Sequence, residues 1–520
     1  MQNKTALLPA RLLVSPARLL ASLAITLIIV LPASKIPTGV KTGQNAAPEE
    51  FTTYLDNRIP IIMDNYNIPG VCMALIIEGE TRWMKAYGYA DLKEGREMTT
   101  STICRVESIS KPVTAWGVMK LVEQGVIDTD MPVAAYLKSW QFPESEYHAK
   151  RITVGHLLSH TAGLPLGDIA SRYYPKGNIP SLKENLSAEA VLRQEPGSGF
   201  NYSNTGFNLL ELLIEEVTGR AFTEYMEAEV LIPLGMNNSS FSWSEGMEPP
   251  VPMGYTKQGK AVPVHVYHGK ASGGLFAGVE DIAAFVAAGM EAPFRSGHEV
   301  LSPKYISKLY ACEAEDLGLY GLVFDAYGSG HFIENLSGGE YAVSHGGQGY
   351  GWMTHFHSVP ATGDGIVILT NSQRSWPFFA SILGDWAQWR GFGRIGMGKI
   401  NLGQKIVWAL IGMILFVSLW QVLRPGRGLL SGSRQFAPLY AEGWPVRLLQ
   451  VTLSIFLLTG LLWAVNQDYL FLSSVFPIAS VWLGYSLLVL AVVLLWLALL
   501  PVKDAGLPVN NYCSESKINR

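Results

Sequence analysis

Three uncharged runs near the end of the sequence constrain the fold of this chain more than any other feature. They are Ile406–Leu423, Leu448–Val465 and Ala479–Leu500, with lengths of 18, 18 and 22 residues. An α-helix rises about 1.5 Å per residue, so each run is long enough to cross the roughly 30 Å apolar core of a bilayer. The sequence therefore predicts three transmembrane helices within residues 405–502 and a lipid bilayer as a partner.

The charges between these runs predict their orientation. The first connection contains four arginines: Arg424, Arg427, Arg434 and Arg447. The second connection contains Asp468 and neither Lys nor Arg. Because loops rich in Lys and Arg stay on the cytoplasmic side, the first connection is expected to be cytoplasmic. The tail 503–520 would then also be cytoplasmic, and the residues before 405 would lie on the periplasmic or extracellular side of a cell membrane.

The beginning of the sequence independently predicts export. Lys4, Arg11 and Arg18 precede the uncharged segment Leu19–Leu31, which is followed by Pro-Ala-Ser. A segment of this length is short for a bilayer span and is typical of the apolar core of a secretory signal. Residues 1–34 are therefore predicted to be either a cleaved signal peptide or a retained N-terminal anchor, and both alternatives export the residues that follow.

The exported region, residues 45–395, is long enough for one large globular domain. The net charge of −4 and the lack of a basic run within this region give no indication of a nucleic-acid partner. The cysteines form no C-x-x-C pair, so neither a zinc ribbon nor a disulfide framework is indicated, and Cys72, Cys104 and Cys312 are expected to be buried. No metal or cofactor is expected. No feature of the sequence sets the oligomeric state.

The pattern of predicted elements in this region indicates an α+β fold. Strand patterns occur at both ends of the region, in VCMALIIEG and RWMKAYGYA, and again in GWMTHFHSVP and GDGIVILTN. Residues 108–231 between them are mainly helical in pattern, and a final helix is predicted over 377–390. These elements predict one antiparallel sheet built from both ends of the domain, with a helical insertion between them.

The segment ESISK contains a serine three residues before a lysine, Ser108 and Lys111. The same spacing recurs at Ser514 and Lys517 in the polar tail, so spacing alone decides nothing. If a helix begins at Ser108, the two side chains lie one turn apart on the same face, and the hydroxyl lies near the positive end of the helix dipole. A desolvated lysine is neutral enough to take the proton of the hydroxyl. Neither Cys104 nor Glu107, which precede this serine, receives a role from the sequence.

Two further segments contain residues suited to the same chemistry. The loop GFNYSNTG holds Tyr202, which is suited to passing protons, and Asn204, which is suited to orienting the lysine and a substrate carbonyl. The segment SHGGQGYG begins with the run Ser344–Gln348, which includes His345, Gly346 and Gly347. Glycines there allow a substrate backbone to approach a strand edge, and the amide of Gln348 is placed to share an oxyanion with that of Ser108.

The order Ser-x-x-Lys, Tyr-x-Asn and His-Gly-Gly resembles the serine penicillin-recognising hydrolases. More closely, it is similar to class C β-lactamases, D-alanyl-D-alanine carboxypeptidases, D-aminopeptidases and related esterases. The Ser-x-x-Lys element is typical of β-lactamases and penicillin-binding proteins. Further segments carry the resemblance over about residues 50–392: LLSHTAGLP, FNYSNTGFNLLELLIEEVTG, LIPLGMNNSSF and ASGGLFAGVEDIAAF.

This resemblance implies a β-lactamase/transpeptidase-like fold and assigns roles to the same residues. Ser108 would be the acylated nucleophile, with Lys111 and Tyr202 as its proton-handling partners, and Asn204 would help to hold the substrate. His345 would occupy the position where the family most often has a lysine. A histidine is near half-charged around neutrality, so binding of a substrate carboxylate and efficient β-lactam hydrolysis are less expected than peptidase or esterase activity.

Two functions of different classes follow from the sequence. The first is a membrane-anchored serine hydrolase that acts through a Ser108 acyl-enzyme on a cell-wall peptide, a D-amino-acid amide, an ester or a β-lactam. The second is a non-catalytic ligand-binding sensor or scaffold that signals through the three helices. The presence of Ser108, Lys111 and Tyr202 together favours the enzyme, because a binding domain has no chemical need for all three. Loops around 173–179 and 328–338 are expected to select the substrate.

Overall fold

The computed structural model describes residues 43–169, 171–294, 300–432, 434, 436, 443–467 and 470–501. These residues form two compact units. One comprises residues 43–403 together with Ser474–Pro477, and the other comprises the remaining described residues from 404 onwards. The predicted signal segment 1–34, the second Ser-x-x-Lys and the tail 503–520 lie outside the described residues.

The first unit is built on an eight-stranded antiparallel sheet with the order β3-β2-β1-β12-β11-β10-β9-β8. Its strands are β1 (Gly70–Ile77), β2 (Glu80–Asp91), β3 (Arg96–Glu97), β8 (Ala326–Tyr327), β9 (Phe332–Asn335), β10 (Tyr341–Gln348), β11 (Met353–Val359) and β12 (Asp364–Thr370). Two small ladders pair β4 (Cys104–Arg105) with β7 (Phe276–Ala277), and β5 (Gly254–Tyr255) with β6 (Ala261–Val262).

The helices of this unit flank the sheet or form the insertion. They are α1 (Pro48–Tyr66), α2 (Ser110–Glu123), α3 (Val154–Leu158), α4 (Leu182–Glu189), α5 (Asn204–Thr218), α6 (Phe222–Met226), α7 (Val279–Ala288), α8 (Pro303–Leu309) and α9 (Trp376–Arg390). Helix α7 packs against β1, β2 and β12 on one face of the sheet, while α1 and α9 pack against the other face. Strand β1 is consequently buried along its whole length.

The two ends of the domain meet at the centre of the sheet, as predicted. Strand β1 pairs antiparallel with β12, with Val71 opposite Thr370 and Ile76 opposite Gly365. The predicted turn between β1 and β2 uses Gly79, which has a φ of +77° and a position where a Cβ would lie 1.6 Å from the carbonyl oxygen of Phe294. The predicted α+β class with an antiparallel sheet is therefore confirmed.

One part of the sheet was not predicted. The segment 328–338 was expected to be a substrate-selecting loop, but it contains β9 and lies between β8 and β10. This expectation was wrong because β8 and β9 have only two and four residues and are separated by glycines, so neither shows a recognisable alternation. The expectation for Cys312 was also wrong: Cys72 and Cys104 are buried, whereas Cys312 is exposed in the loop after α8.

The second unit contains long apolar helices. Helices α10 (Gly398–Leu430), α11 (Trp444–Val465) and α13 (Ala479–Leu499) have mean hydropathies of 2.3, 2.1 and 2.4 over their most apolar windows. A short helix α12 (Phe471–Val475) precedes α13. By length and composition, each of the three long helices is able to cross a membrane, which suggests membrane association.

Two buried histidines lie on β11 on the face of the sheet that packs against α9. The ring of His355 lies 5.9 Å from that of Phe379, and the ring of His357 lies 5.6 Å from that of Trp386. Within the described part of the chain, neither imidazole has a hydrogen-bond partner. Burial lowers the pKa of His355 well below its usual value and that of His357 to about 4, so both rings are neutral packing groups near neutrality.

We expect the protein to lose stability as the pH falls below about 6.5, because histidine in the unfolded chain takes up protons that buried His357 does not. Above this pH both states are neutral and the effect vanishes. With a folded pKa of about 4, His357 alone removes about 2 kcal/mol between about pH 7 and pH 5.

The variant His357→Leu should lose this part of the pH dependence, whereas a matched His148→Leu change at an exposed position should retain it. Thermal unfolding of the detergent-solubilised protein at both pH values measures the difference. The same drop in unfolding temperature in both variants would contradict the prediction.

Candidate active site

Ser108 lies in a 3-10 turn, Glu107–Ile109, that leads directly into α2. The helix begins at Ser110 rather than at Ser108, so the nucleophile candidate precedes the first helical turn. Glu107 and Ile109 are buried, while Ser108 is half-buried. The turn therefore presents one reactive group at the surface of an otherwise closed core.

Lys111 is fully buried behind this hydroxyl. Its Nζ lies 3.2 Å from Ser108 Oγ and donates to Asn204 Oδ1 and to the carbonyl oxygen of Ser272, each at 2.7 Å. Burial lowers the pKa of Lys111 well below its usual value, while the nearby carboxylate of Glu107 opposes that shift. A neutral amine has two hydrogens and one lone pair. The two carbonyl-type acceptors take the hydrogens, which leaves the lone pair for the proton of Ser108.

Tyr202 completes the group around the hydroxyl. Its ring centroid lies 4.9 Å from Lys111 Nζ, and an interaction with the Ser108 side chain lowers the pKa of its hydroxyl. Burial and the neighbouring phenol of Tyr320 raise the pKa of Tyr202, and the interaction with Ser108 opposes this only in part. Tyr202 is therefore a neutral phenol, able to accept a proton on its oxygen while donating its own.

The loop that carries Tyr202 is anchored by the start of α5. Ser203 is the N-cap of this helix: its Oγ accepts from the amide of Gly206 at 2.9 Å. The amide of Ser203 donates to Nδ1 of His160 at 3.2 Å, and the ring of His160 lies 4.3 Å from that of Tyr202. His160 is thus a buried support for the tyrosine. The cap also places Asn204, the first residue of α5, beside Lys111.

A buried carboxyl group that received no role from the sequence holds the loop behind Lys111. Glu211 Oε2 accepts from the amides of Lys270 and Ala271, at 2.5 and 2.8 Å. These contacts fix the loop whose Ser272 carbonyl accepts from Lys111. Burial raises the pKa of Glu211 to about 7. In the sequence, Glu211 could have been recognised as a buried acid, because it lies four residues after Phe207 on the apolar face of α5.

His345 lies on β10 at the edge of the same group, with its ring 6.2 Å from that of Tyr202. Its Nδ1 donates to the carbonyl oxygen of Gly346 at 2.8 Å, and its Nε2 lies 3.5 Å from the hydroxyl of Tyr327. Burial and the proximity of Lys111 lower the pKa of His345 well below its usual value. The expectation of a half-charged histidine is therefore wrong, because it assumed a solvated ring, whereas only 1% of this residue is exposed.

The remaining predicted residues follow His345 along β10. This strand pairs with β9 only as far as Ser344, so 345–348 have no strand partner on that side. A Cβ at Gly347 would lie 2.2 Å from the carbonyl oxygen of Val106, so only glycine lets the strand lie against the Ser108 turn. Gly346 has more space, because the nearest atom to a Cβ placed there would be His355 Nδ1 at 3.2 Å.

The side chain of Gln348 is held away from the cleft. Its Nε2 donates to Ser474 Oγ at 2.6 Å, within the same unit, and its Oε1 accepts from Trp376 Nε1 at 3.1 Å. The main chain of Gln348, rather than its amide side chain, is therefore the part available to a bound molecule. The structure thus brings Ser108, Lys111, Tyr202 and Asn204 into one group and places 345–348 along its border.

Comparison with known proteins identifies the relatives of this chain. The family model described as Beta-lactamase matches residues 55–383. Penicillin-binding protein 4* of Bacillus subtilis (strain 168) is 29% identical over 168 residues, which are 31% of this chain and 35% of that protein. Esterase EstB of Burkholderia gladioli is 32% identical over 215 residues, which are 37% of this chain and 54% of the esterase.

A solved structure shows the same fold. The octameric penicillin-binding protein homologue from Pyrococcus abyssi is 29% identical, has a TM-score of 0.55, and is matched over 64% of this chain and 77% of that one. The chain spans only about a third and a half of the length of the two curated relatives. The β-lactamase-like resemblance and fold predicted from the motifs are confirmed.

We expect Gly347→Ala to slow the reaction of Ser108 with an electrophile at least about tenfold and to lower the unfolding temperature. The added Cβ would overlap the backbone of the Ser108 turn, and overpacking of this kind costs about 1–3 kcal/mol. Gly384→Ala in α9 is the matched control, because a Cβ there meets nothing within 4 Å. That change should be neutral or slightly stabilising. If both variants react with the electrophile at the same rate and unfold at the same temperature, β10 does not need a glycine at position 347 to lie against the Ser108 turn.

Proposed function

Because the chain belongs to the Beta-lactamase family, whose members here include serine hydrolases of esters or amides, we propose that it forms an acyl-enzyme at Ser108 with a neutral ester or amide. The observation that carries this proposal is the buried amine of Lys111, whose Nζ lies 3.2 Å from Ser108 Oγ. An unactivated serine hydroxyl is a weak nucleophile, and a neutral base beside it supplies the missing activation.

Acylation uses the four central side chains. The lone pair of Lys111 Nζ takes the Ser108 proton while Oγ attacks the substrate carbonyl. As the bond to the leaving group breaks, Tyr202 gives its proton to the leaving group and takes a proton from Lys111. The amides of Ser108 and Gln348 stabilise the oxyanion that forms. Asn204 keeps Lys111 oriented through the 2.7 Å hydrogen bond and contacts the substrate. Water then attacks the acyl-enzyme and gives one proton to Tyr202, which passes its own proton to Lys111. Lys111 protonates Ser108 Oγ as the Oγ–acyl bond breaks, which releases the carboxylic acid.

The surroundings of the site favour an uncharged, apolar substrate. Neutral His345 provides no cation at the position where related hydrolases most often have lysine. On the other side, Tyr320 stacks on Tyr202 with ring centroids 5.5 Å apart. Tyr320 belongs to the turn Gly318–Leu322, in which Leu319 and Leu322 are exposed. A neutral ester with an apolar acyl group complements this border better than a carboxylate-bearing peptide or β-lactam does.

The hydrolase domain is anchored to a membrane on its extracytoplasmic side. Three helices of sufficient length and apolarity support anchoring. The arginines that follow the first of them, including Arg427, Arg434 and Arg447, support a cytoplasmic location for that connection. If this connection is cytoplasmic, the first long helix crosses the membrane once before it. Residues 43–403, which precede that crossing, then lie on the extracytoplasmic side.

A membrane-impermeant fluorophosphonate probe should label intact cells that produce the full chain, and Ser108→Ala should abolish this labelling. Ser514→Ala, at the second Ser-x-x-Lys, is the matched control and should label normally. Tyr202→Phe should label about 10² to 10⁴ times more slowly, because it removes a proton carrier. If Ser108→Ala labels like the unchanged chain, the nucleophile is misassigned. A folded chain that reacts with no electrophile and yet binds ligand would support the sensor.

Among purified substrates, we expect neutral short-chain p-nitrophenyl esters to be hydrolysed with a kcat/KM at least about 100-fold above that for benzylpenicillin, which carries a carboxylate. The physical reason is the missing cation at position 345. His345→Lys should narrow this ratio if the variant folds, as judged by fluorophosphonate labelling. Preferred hydrolysis of the penicillin by the unchanged protein would contradict the proposal.

A further inference from the structure

We propose that Glu107 is a positioning residue whose carboxylate, held by Arg105 and Tyr267, fixes the turn that presents Ser108 and sets the electrostatic field at Lys111. This inference rests on the proposed function of Ser108 and Lys111. It gives a role to a residue for which the sequence offered none.

The backbone of Glu107 adopts an unusual conformation immediately before the nucleophile. Its φ is +53°, in the left-handed region that non-glycine residues rarely occupy. A glutamate has no local means of stabilising this conformation, unlike glycine or asparagine, so tertiary contacts must hold it. One such contact involves its carbonyl oxygen, which accepts from Ser110 Oγ at 2.6 Å.

The carboxylate supplies the other contacts. Arg105 Nε donates to Oε1 at 3.0 Å, and the hydroxyl of Tyr267 donates to Oε2 at 2.9 Å. Both partners of the ion pair are buried, with side-chain exposures of 1% for Arg105 and 3% for Glu107. The guanidinium carbon lies 4.5 Å from the ring centroid of Tyr267 and 5.6 Å from that of Trp352. A buried carboxylate with these partners cannot change its position without leaving an unpaired cation in the core.

Strand β10 and Gly349, the residue that follows it, lie directly against Glu107. A Cβ at Gly349 would lie 2.2 Å from Oε1 of Glu107, and a Cβ at Gly347 would lie 2.9 Å from its Cβ. The glutamate is therefore the contact between the nucleophile turn and the strand that borders the substrate. By fixing both, it sets the separation of the two amides proposed to bind the oxyanion, those of Ser108 and Gln348.

The charge of Glu107 also reaches Lys111. It raises the pKa of the lysine against the larger effect of burial. Tyr202, His160 and His345 also lie near the amine, and each is neutral near pH 7. Glu211, which holds the loop behind Lys111, has a pKa of about 7. Glu107 is the acidic group whose charge raises the pKa of Lys111. Removing its charge lets Lys111 lose its proton at a lower pH.

The experiment measures the pH profile of kcat/KM for a neutral p-nitrophenyl ester with the detergent-solubilised full chain. Because the neutral amine is the active form, kcat/KM rises with pH through the pKa of Lys111. In Glu107→Gln we expect the acid limb of the profile to move to lower pH by at least about half a pH unit. The plateau value of kcat/KM should fall about 10- to 100-fold. This fall should come from a lower kcat, with little change in KM, because the turn loses its fixed position.

A matched control separates this role from general destabilisation. Asp385→Asn breaks another ion pair, that of Arg58 and Asp385 between α1 and α9, away from the site. It should lower the unfolding temperature and leave the acid limb where it was. If Glu107→Gln is too unstable to assay, Tyr267→Phe removes one hydrogen bond and keeps the ring under Arg105. That variant should lower the plateau by a smaller factor.

An unmoved acid limb in Glu107→Gln, with a plateau within twofold of the unchanged protein, would overturn the proposal. A lower unfolding temperature with an unmoved acid limb would make Glu107 structural only and would equally overturn it. Failure of the underlying function gives a different result. In that case Ser108→Ala retains esterase activity and labelling, whatever Glu107→Gln does.

Discussion

The proposed chemistry of this protein depends on the exclusion of water from the amine of Lys111. Lys111 is enclosed by carbonyl acceptors and by aromatic rings, with Tyr202 and Phe207 at 4.9 and 5.7 Å from its Nζ. In water this amine would be protonated and useless as a base. Burial penalises the charged form, and the two acceptors then determine which direction the lone pair faces. The proposed roles of Ser108 as nucleophile and of Tyr202 as proton relay both require that lone pair.

The fold provides this environment from segments that are far apart in sequence. The N-cap of α5 positions Asn204, and a loop held by Glu211 positions the carbonyl oxygen of Ser272. The cap itself depends on His160, and the loop also receives a hydrogen bond from Thr114 Oγ1 to the carbonyl oxygen of Ala271. Each acceptor therefore has its own buried support. Loss of a support displaces an acceptor and admits water, which restores the charge on the amine.

The sequence predicted the parts of this arrangement that have a local signature. Strand-like runs bounded by turn residues predicted β1, β2, β11 and β12, and the motifs picked out Ser108, Lys111, Tyr202 and Asn204. It did not predict β8 and β9, since strands this short have no periodicity, nor the neutral state of His345, which depends on burial by chain segments distant in sequence. Glu107 was missed for the same reason, because its partner Tyr267 is 160 residues away.

Neutral His345 and charged Glu107 together explain why the site must be apolar. A cation at position 345 would help to keep Lys111 deprotonated, but this chain has a neutral imidazole there, and Glu107 favours the protonated amine. Desolvation must therefore lower the pKa of Lys111 by more than the carboxylate raises it, so the groups around the amine must exclude water. The ring of Tyr202 lies 4.9 Å from the amine and stacks with the rings of Tyr320 and Phe332. In the proposed mechanism, a substrate with an apolar group beside these rings would exclude water from Lys111 before the amine takes the Ser108 proton, whereas a strongly hydrated substrate would work against this.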